Sequence, residues 1–397
     1  MSFIPRDVLT ALQAQVDAAT GRHVEMLGEG FNFGAVANGA RFVQSSMGSL
    51  DGSGIGSFNP YLRDAARGGS GFDTGNAMIA NQGFLNGQFY DPNAQGTAAV
   101  GDLMWASDVI KAGMAGSLVD YTLTTSWDAQ LPLAQISDGG SPLGFAAAPS
   151  ESVTYVENHD NQTLFDNDTY KLPLSTTLDD RARVQMLGAA IVSFSQGVAY
   201  YHAGVDTLRS KSLDKNSYDS GDWFNKLDWS YADNNFGVGL PMQAANGGDW
   251  PVQQPLLANA ALKPTAMQIA WARDQFRDLL RIRKSTSLLH MSAAADIKAR
   301  LKFWNTGSAQ VPTVIVGDLD GTGYPGANFQ EVTYFINVDK VSHPIAIPQL
   351  AARPFVLHPV HLAAGAADTR AAQATYDATS GTFTIPPRTA VVFVVPN

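Results

Sequence analysis

Apolar positions fall at three- and four-residue spacing over residues 5–19, where Val8, Leu9, Leu12, Val16 and Ala19 share one face behind Pro5, so the chain opens with a predicted helix. A short apolar run, 23–27, then empties into the polar segment Gly28-Glu29-Gly30-Phe31-Asn32-Phe33-Gly34, the look of a strand running into a loop. Ile55 to Leu62 predicts a second strand. Up to Ser150 the reading is mostly loop, with one helix over Leu103 to Tyr121. Ser152 to Val156 predicts a buried strand ending in Glu157-Asn158-His159-Asp160-Asn161. A helix over Leu178 to Gln196 follows, with Asp179 and Asp180 in its first turn and Gly197 past its end. Val198 to His202 is a further strand, and Pro264 to Lys284 a strong amphipathic helix. Alternating strand and helix implies a parallel sheet.

After about residue 290 the period changes to two. Ala299 to Trp304, Thr313 to Asp318, Val332 to Val338, Pro354 to His358 and Ala390 to Val394 all alternate, and Asp377-Ala378-Thr379-Ser380-Gly381 supplies a hairpin turn. This predicts an antiparallel β-sandwich from 290 to 397.

The 397 residues suit two or three domains, and 45% of them are hydrophobic. A net charge of −10 argues against a nucleic-acid partner, which needs a basic face to release counterions. With no cysteine, disulfides, thiolate metal sites and cysteine nucleophiles drop out, and the chemistry falls to carboxylates, histidine and hydroxyls. No apolar run is long enough to cross a bilayer, so no membrane partner is expected, and residues 1–20 lack the look of a signal peptide. The compartment is left open.

Glu29 and Asp160 each stand in polar sequence just after a short apolar strand. In barrel enzymes the chemistry sits at the C-terminal ends of the strands. Paired carboxylates there suit glycoside hydrolysis, in which one stays protonated to serve the leaving oxygen and another stays ionised against a cationic transition state. Position alone leaves solvated loop carboxylates equally open. A dinucleotide loop at Gly28-Glu29-Gly30 fails, because the spacing is wrong and an acid in the turn would repel a pyrophosphate. Phe31, Phe33, Tyr201, Trp223 and Phe224 could stack on pyranose faces; for Phe33 and Tyr201 core packing is the better reading.

Three segments carry a family resemblance: Gly28 to Gly34, Tyr155-Val156-Glu157-Asn158-His159-Asp160-Asn161-Gln162-Thr163-Leu164-Phe165-Asp166, and HAGVDTLRSKSLDKNSYDSGDWFN from His202 to Asn225. They resemble the pullulanase-type α-1,6-glucosidases of glycoside hydrolase family 13. The resemblance implies an α/β fold: the C-terminal half of a TIM (β/α)8 barrel over 1–289, followed by the antiparallel sandwich over 290–397. It implies a starch- or glycogen-debranching hydrolase acting with retention on α-1,6 bonds of an α-glucan such as pullulan or limit dextrin. By match, Glu29 falls on the general acid/base, Asp160 on the transition-state-stabilising aspartate and His159 on a histidine that bonds sugar hydroxyls. Arg209 falls on a substrate-contacting arginine, Asp222 and Trp223 on a loop walling the cleft, and Phe31 on an aromatic platform that is usually tryptophan. The family often holds calcium; the loops 166–168 and 233–235 offer oxygens, and no spacing names ligands.

The departures matter. The residue matching the family's aspartate nucleophile would lie just before Met1, and the earlier barrel strands have no match, so the expectation is a fragment, inactive by itself. The alternative is a non-catalytic α-glucan-binding or regulatory protein. Val205 stands where the family has an acid, and Pro60-Tyr61 where it has an acid–arginine pair.

Overall fold

The computed structural model describes all 397 residues. Its first sheet is wholly parallel, with the strands Leu27–Gly28, Gly56–Phe58, Ser152–Thr154 and Val198–Ala199 side by side in chain order. All four strand regions expected from the sequence are present, each shorter than its apolar run.

The second differs most. After Gly56–Phe58 the chain does not continue as a strand to Leu62 but turns into a helix, Pro60–Arg67. Asn59 explains the switch: its side chain accepts from the Leu62 N–H at 3.3 Å, and Pro60 begins the first turn with its φ already helical. The helix expected over Leu103 to Tyr121 runs instead over Val100–Met114. Gly116 and Ser117 both have positive φ (77° and 48°), which a continuing helix forbids. The stretch beyond it holds two small hairpins, 122–132 and 137–142.

Leu178–Phe194 begins at Thr177, whose hydroxyl accepts from the Asp180 N–H at 3.2 Å, and is buried from Arg181 through Phe194. A helix buried on every side must be covered on every side. It packs on the Ala266–Ser285 helix and on the strands Phe329–Asn337 and Thr389–Pro396, with the Phe194 and Tyr334 rings 5.3 Å apart. Ala266–Ser285 itself starts in a capping box, with Gln268 accepting from the Thr265 N–H at 3.0 Å.

From Leu301 the strands are antiparallel. Five lie in the order Val356–Leu357, Thr389–Pro396, Phe329–Asn337, Val314–Asp320 and Leu301–Trp304; three more, His343–Ala346, Thr382–Ile385 and Thr375–Asp377, form a smaller sheet. Phe335 of the larger sheet and Phe383 of the smaller meet at 4.8 Å inside one apolar cluster. The hairpin expected at 377–381 joins two strands of the smaller sheet. The largest apolar cluster runs without a break from Leu62 to Val394, so the parallel and antiparallel parts share a core. No helix is long and apolar enough to cross a membrane.

Candidate active site

Parallel strands end on one edge of their sheet, and the residues that follow them therefore gather there. Glu29 follows the first strand and His159 and Asp160 lie in the loop after the third; the Gly56–Phe58 strand separates the two. Beneath this edge Phe58, Tyr155 and Tyr200 pack ring against ring, with centroids 5.0 Å (Phe58–Tyr155) and 5.2 Å (Phe58–Tyr200) apart, and Phe31 leans on the same cluster. Gly30 is required for the turn: its φ is 58°, and a Cβ there would meet the Ser57 Cβ at 2.8 Å.

Glu29, His159 and Asp160 converge. His159 Nε2 stands 3.4 Å from Glu29 Oε1 and 3.6 Å from Asp160 Oδ2, and all three side chains are partly open to solvent. Burial raises the Glu29 carboxyl above its ordinary range; the negative charge of Asp160 and a hydrogen bond with it push the same way, and His159 opposes them. A carboxyl whose proton affinity is raised beside a second acid is an arrangement that suits acid-assisted bond cleavage.

The histidine is held from behind. Its Nδ1 lies 3.1 Å from Asn158 Oδ1, an acceptor that also receives the Tyr200 hydroxyl at 3.0 Å. Since Asn158 Oδ1 can only accept, the Nδ1 carries the proton and Nε2 faces the acids. Lys211 Nζ donates to the His159 carbonyl at 2.7 Å. Asn158, Tyr200 and Lys211 were not singled out from the sequence, although Asn158 and Lys211 lie within the segments that carry the family resemblance.

The other expected residues stand apart from this trio. Arg209 is 8% exposed. Its guanidinium donates to the carbonyls of Ala203 at 3.1 Å and Asn225 at 2.6 Å and lies 3.4 Å from His202 Nε2. These contacts tie the start of the loop after the fourth parallel strand to Asn225. Trp223 is 66% exposed and donates to the Val238 carbonyl at 3.2 Å. With Asp222, Lys226, Asn235 and Val238 it walls a cavity of about 330 Å3. The loop carrying it leans on the site through Ser217, whose carbonyl accepts from Asn225 and whose hydroxyl points at the His159 carbonyl. A concavity of about 900 Å3 lies elsewhere, along the first helix between Arg6 and Val43, and is lined by none of the trio.

The trio's ligand atoms lie within 4.8 Å of one another, close enough for one cation. Two carboxylates and an imidazole supply few of the six to eight oxygens that calcium takes. Of the segments that looked available for calcium, 166–168 is no loop but part of the helix Leu164–Lys171, where Asp166 accepts from Ser210 Oγ at 2.5 Å and the Lys211 N–H at 2.7 Å, and Asp233 pairs with Lys263 at 2.6 Å.

Residues 231–396 match the family described as alpha-1,6-glucosidases, pullulanase-type, C-terminal. The chain is 39% identical over 403 residues to chloroplastic pullulanase 1 of Arabidopsis thaliana, spanning 98% of this chain and 41% of the relative. It is 38% identical over 280 residues to a pullulanase of Klebsiella aerogenes, covering 70% of this chain and 26% of the relative. In structure it superposes on the maltotriose complex of PulA from Klebsiella pneumoniae with a TM-score of 0.94 and 32% identity, over 100% of this chain and 42% of that one. The chain thus spans less than half the length of the relatives it matches.

Proposed function

The chain belongs to the pullulanase-type α-1,6-glucosidases, and from that premise we propose that Glu29, His159 and Asp160 are its part of a retaining, starch-debranching site. The observation that carries this reading is the meeting of the three groups at one sheet edge, with the Glu29 carboxyl raised by burial and by Asp160. Glu29 gives its proton to the bridging oxygen of an α-1,6 bond as it breaks. Asp160, ionised, faces the positive charge that grows on the sugar ring. His159 Nε2 meets a ring hydroxyl of the same sugar, its orientation set by Asn158. Phe31 offers a platform, Asp222 and Trp223 wall the outer cleft, and Arg209 holds that wall in place.

The four-stranded parallel sheet is read as the C-terminal half of a (β/α)8 barrel over 1–289, and the two antiparallel sheets as a β-sandwich over 290–397. Retention needs a covalent step, and Glu29, His159 and Asp160 include no group assigned as its nucleophile, so these 397 residues by themselves are expected to hydrolyse pullulan only at background. That same lack favours a second reading, an α-glucan-binding protein with no catalysis of its own.

A chimera tests the first reading: the C-terminal part of the Klebsiella pneumoniae PulA is replaced by this chain and pullulan hydrolysis is measured. The chimera is expected to be active, and Glu29→Gln to lower its kcat by about a thousandfold or more. Equal activity with and without Glu29→Gln sinks the assignment. A chimera that binds maltotriose and cleaves nothing points to the second reading.

A further inference from the structure

Pro60-Tyr61, the departure from the family pattern, leads to a surface on which the site above makes no claim. The Tyr61 phenol stands beside Asp138 and the Ser141 hydroxyl. Asp138, with Asp64, Asp102, Gln88 and Trp105, lines a cavity of about 300 Å3, the small end of the range for ligand pockets. Asp102, Trp105 and Val109 reach it from one face of the Val100–Met114 helix, at spacings of three and four. Trp127, 51% exposed at a hairpin tip, sets its ring 6.0 Å from that of Trp105 with a 35° tilt, so a second indole adjoins the one that lines the cavity.

We propose that this surface is a second, non-catalytic saccharide site, which holds a stretch of neutral α-glucan with Trp127 and Trp105 under the sugar rings and Asp138 and Gln88 accepting from their hydroxyls. Pyranose rings carry apolar C–H faces that pack on flat side chains and a rim of hydroxyls that need acceptors. The cavity supplies unused acceptors: Gln88 Oε1 is buried without a hydrogen-bond partner, and Asp138 lies half-buried near the Trp105 indole and Asp64.

The other two carboxylates are already occupied. Asp64 is paired with Arg63 at 2.7 Å, and Asp102 accepts from the Ala99 N–H at 2.8 Å at the helix start. This leaves too little free charge for a cation, and the one acid–histidine group in the molecule tight enough to hold a metal is the trio at the sheet edge. An anionic ligand is excluded by the same three acids.

The ligand class rests on the debranching reading, and the experiment keeps the two separate. Maltoheptaose is titrated into the full chain and into a cleft-disabled His159→Ala/Asp160→Ala chain, by calorimetry and tryptophan fluorescence. The cleft-disabled chain is expected to bind still, with Trp127→Ala in that background weakening affinity at least tenfold, Trp127→Phe about threefold or less, and Asp138→Asn at least threefold. Unfolding transitions matching the parent exclude a folding defect for these exposed or half-buried positions. Binding that disappears with His159→Ala/Asp160→Ala alone overturns the second site and leaves the debranching reading standing. Binding untouched by those changes and lost with Trp127→Ala upholds the second site and removes support from the cleft. Affinity within twofold of the parent for both Trp127→Ala and Asp138→Asn overturns the proposal, as does saturable calcium binding weakened by Asp138→Asn without any saccharide binding.

Discussion

The two ends of the molecule are built to different standards of completion. Between Leu301 and Pro396 the strands reach nine residues, pair antiparallel along their length with one register shift between Phe329 and Glu331, and bury Tyr334, Phe335, Val391 and Val392 completely. At the N-terminal end the strands are two or three residues long, and the outer edge of Leu27–Gly28 has no neighbour. Around that edge Phe3 and Val8 are each 54% exposed, Val43 62% and Leu27 41%. A free parallel edge leaves its backbone N–H and C=O groups without strand partners. The comparison teaches that stability and chemistry are carried by different parts: the antiparallel sheets and the helix Leu178–Phe194 hold the fold, while the trio sits at the ends of the short parallel strands.

Substitutions should expose this asymmetry. Phe335→Ala removes a fully buried ring that meets Phe383 at 4.8 Å and Phe393 at 6.0 Å. It should cost about 3–5 kcal/mol in urea unfolding, against less than about 1 kcal/mol for Leu27→Ala. Equal costs would contradict the division.

Next in size is the ionic clamp between the two parts. Arg388, 3% exposed, bonds Asp91 at 2.8 Å and Asp180 at 3.1 Å, and Lys340 adds a second pair to Asp91 at 2.8 Å. Arg388→Ala removes the guanidinium the two acids share, leaving Asp91 to Lys340 and the half-buried Asp180 to Arg370, and should cost about 1–3 kcal/mol. Arg388→Lys should restore little, since one ammonium cannot serve both acids.

Acid should loosen the antiparallel half first. His361 Nε2 accepts the Val392 N–H at 3.0 Å, and His358 Nδ1 accepts the Val360 N–H at 3.2 Å, so both rings must be neutral where they sit. Burial lowers His358 to about 4 and His361 to about 3, the latter also through His358. The unfolded chain takes up these protons near its ordinary value of 6.5, before the folded chain can. Stability is therefore full above pH 6.5, falls as pH drops below it, and levels off towards pH 3 to 4. A pH series of thermal unfolding should show a loss of about 3–5 kcal/mol per histidine across that window, reduced in His361→Gln. A flat profile would contradict it.

Val43→Ser should be the mildest change, shifting stability by less than about 0.5 kcal/mol while reducing self-association in light scattering. Amide exchange should follow the same ranking, with 27–28 and 56–58 exchanging before 314–320.

How much of this was legible in the sequence depends on whether a signal is local. Thr177 and Thr265 mark their helix starts in the residues themselves, and the period-two runs after 290 place the long strands. Asn59-Pro60 carried an equally local signal for a helix, but the apolar run across Ile55 to Leu62 hid it. Leu164–Lys171, which starts at a Thr163 cap, is buried on all sides and so lacks the polar face that periodicity needs. At the site Glu29, His159 and Asp160 could be named because they flank strand ends. Tyr200 and Lys211 could not be placed, because their contacts with Asn158 and His159 cross 42 and 52 residues of chain.

The protonation of Glu29 tests the central claim most directly. Carbon-13 NMR titration of its side-chain carboxyl in the full chain should give a pKa above the ordinary 4.5, and Asp160→Asn should bring it down by removing the neighbouring negative charge. An ordinary value that Asp160→Asn does not move would mean that the two acids do not share a site, and the acid/base assignment would fall with it.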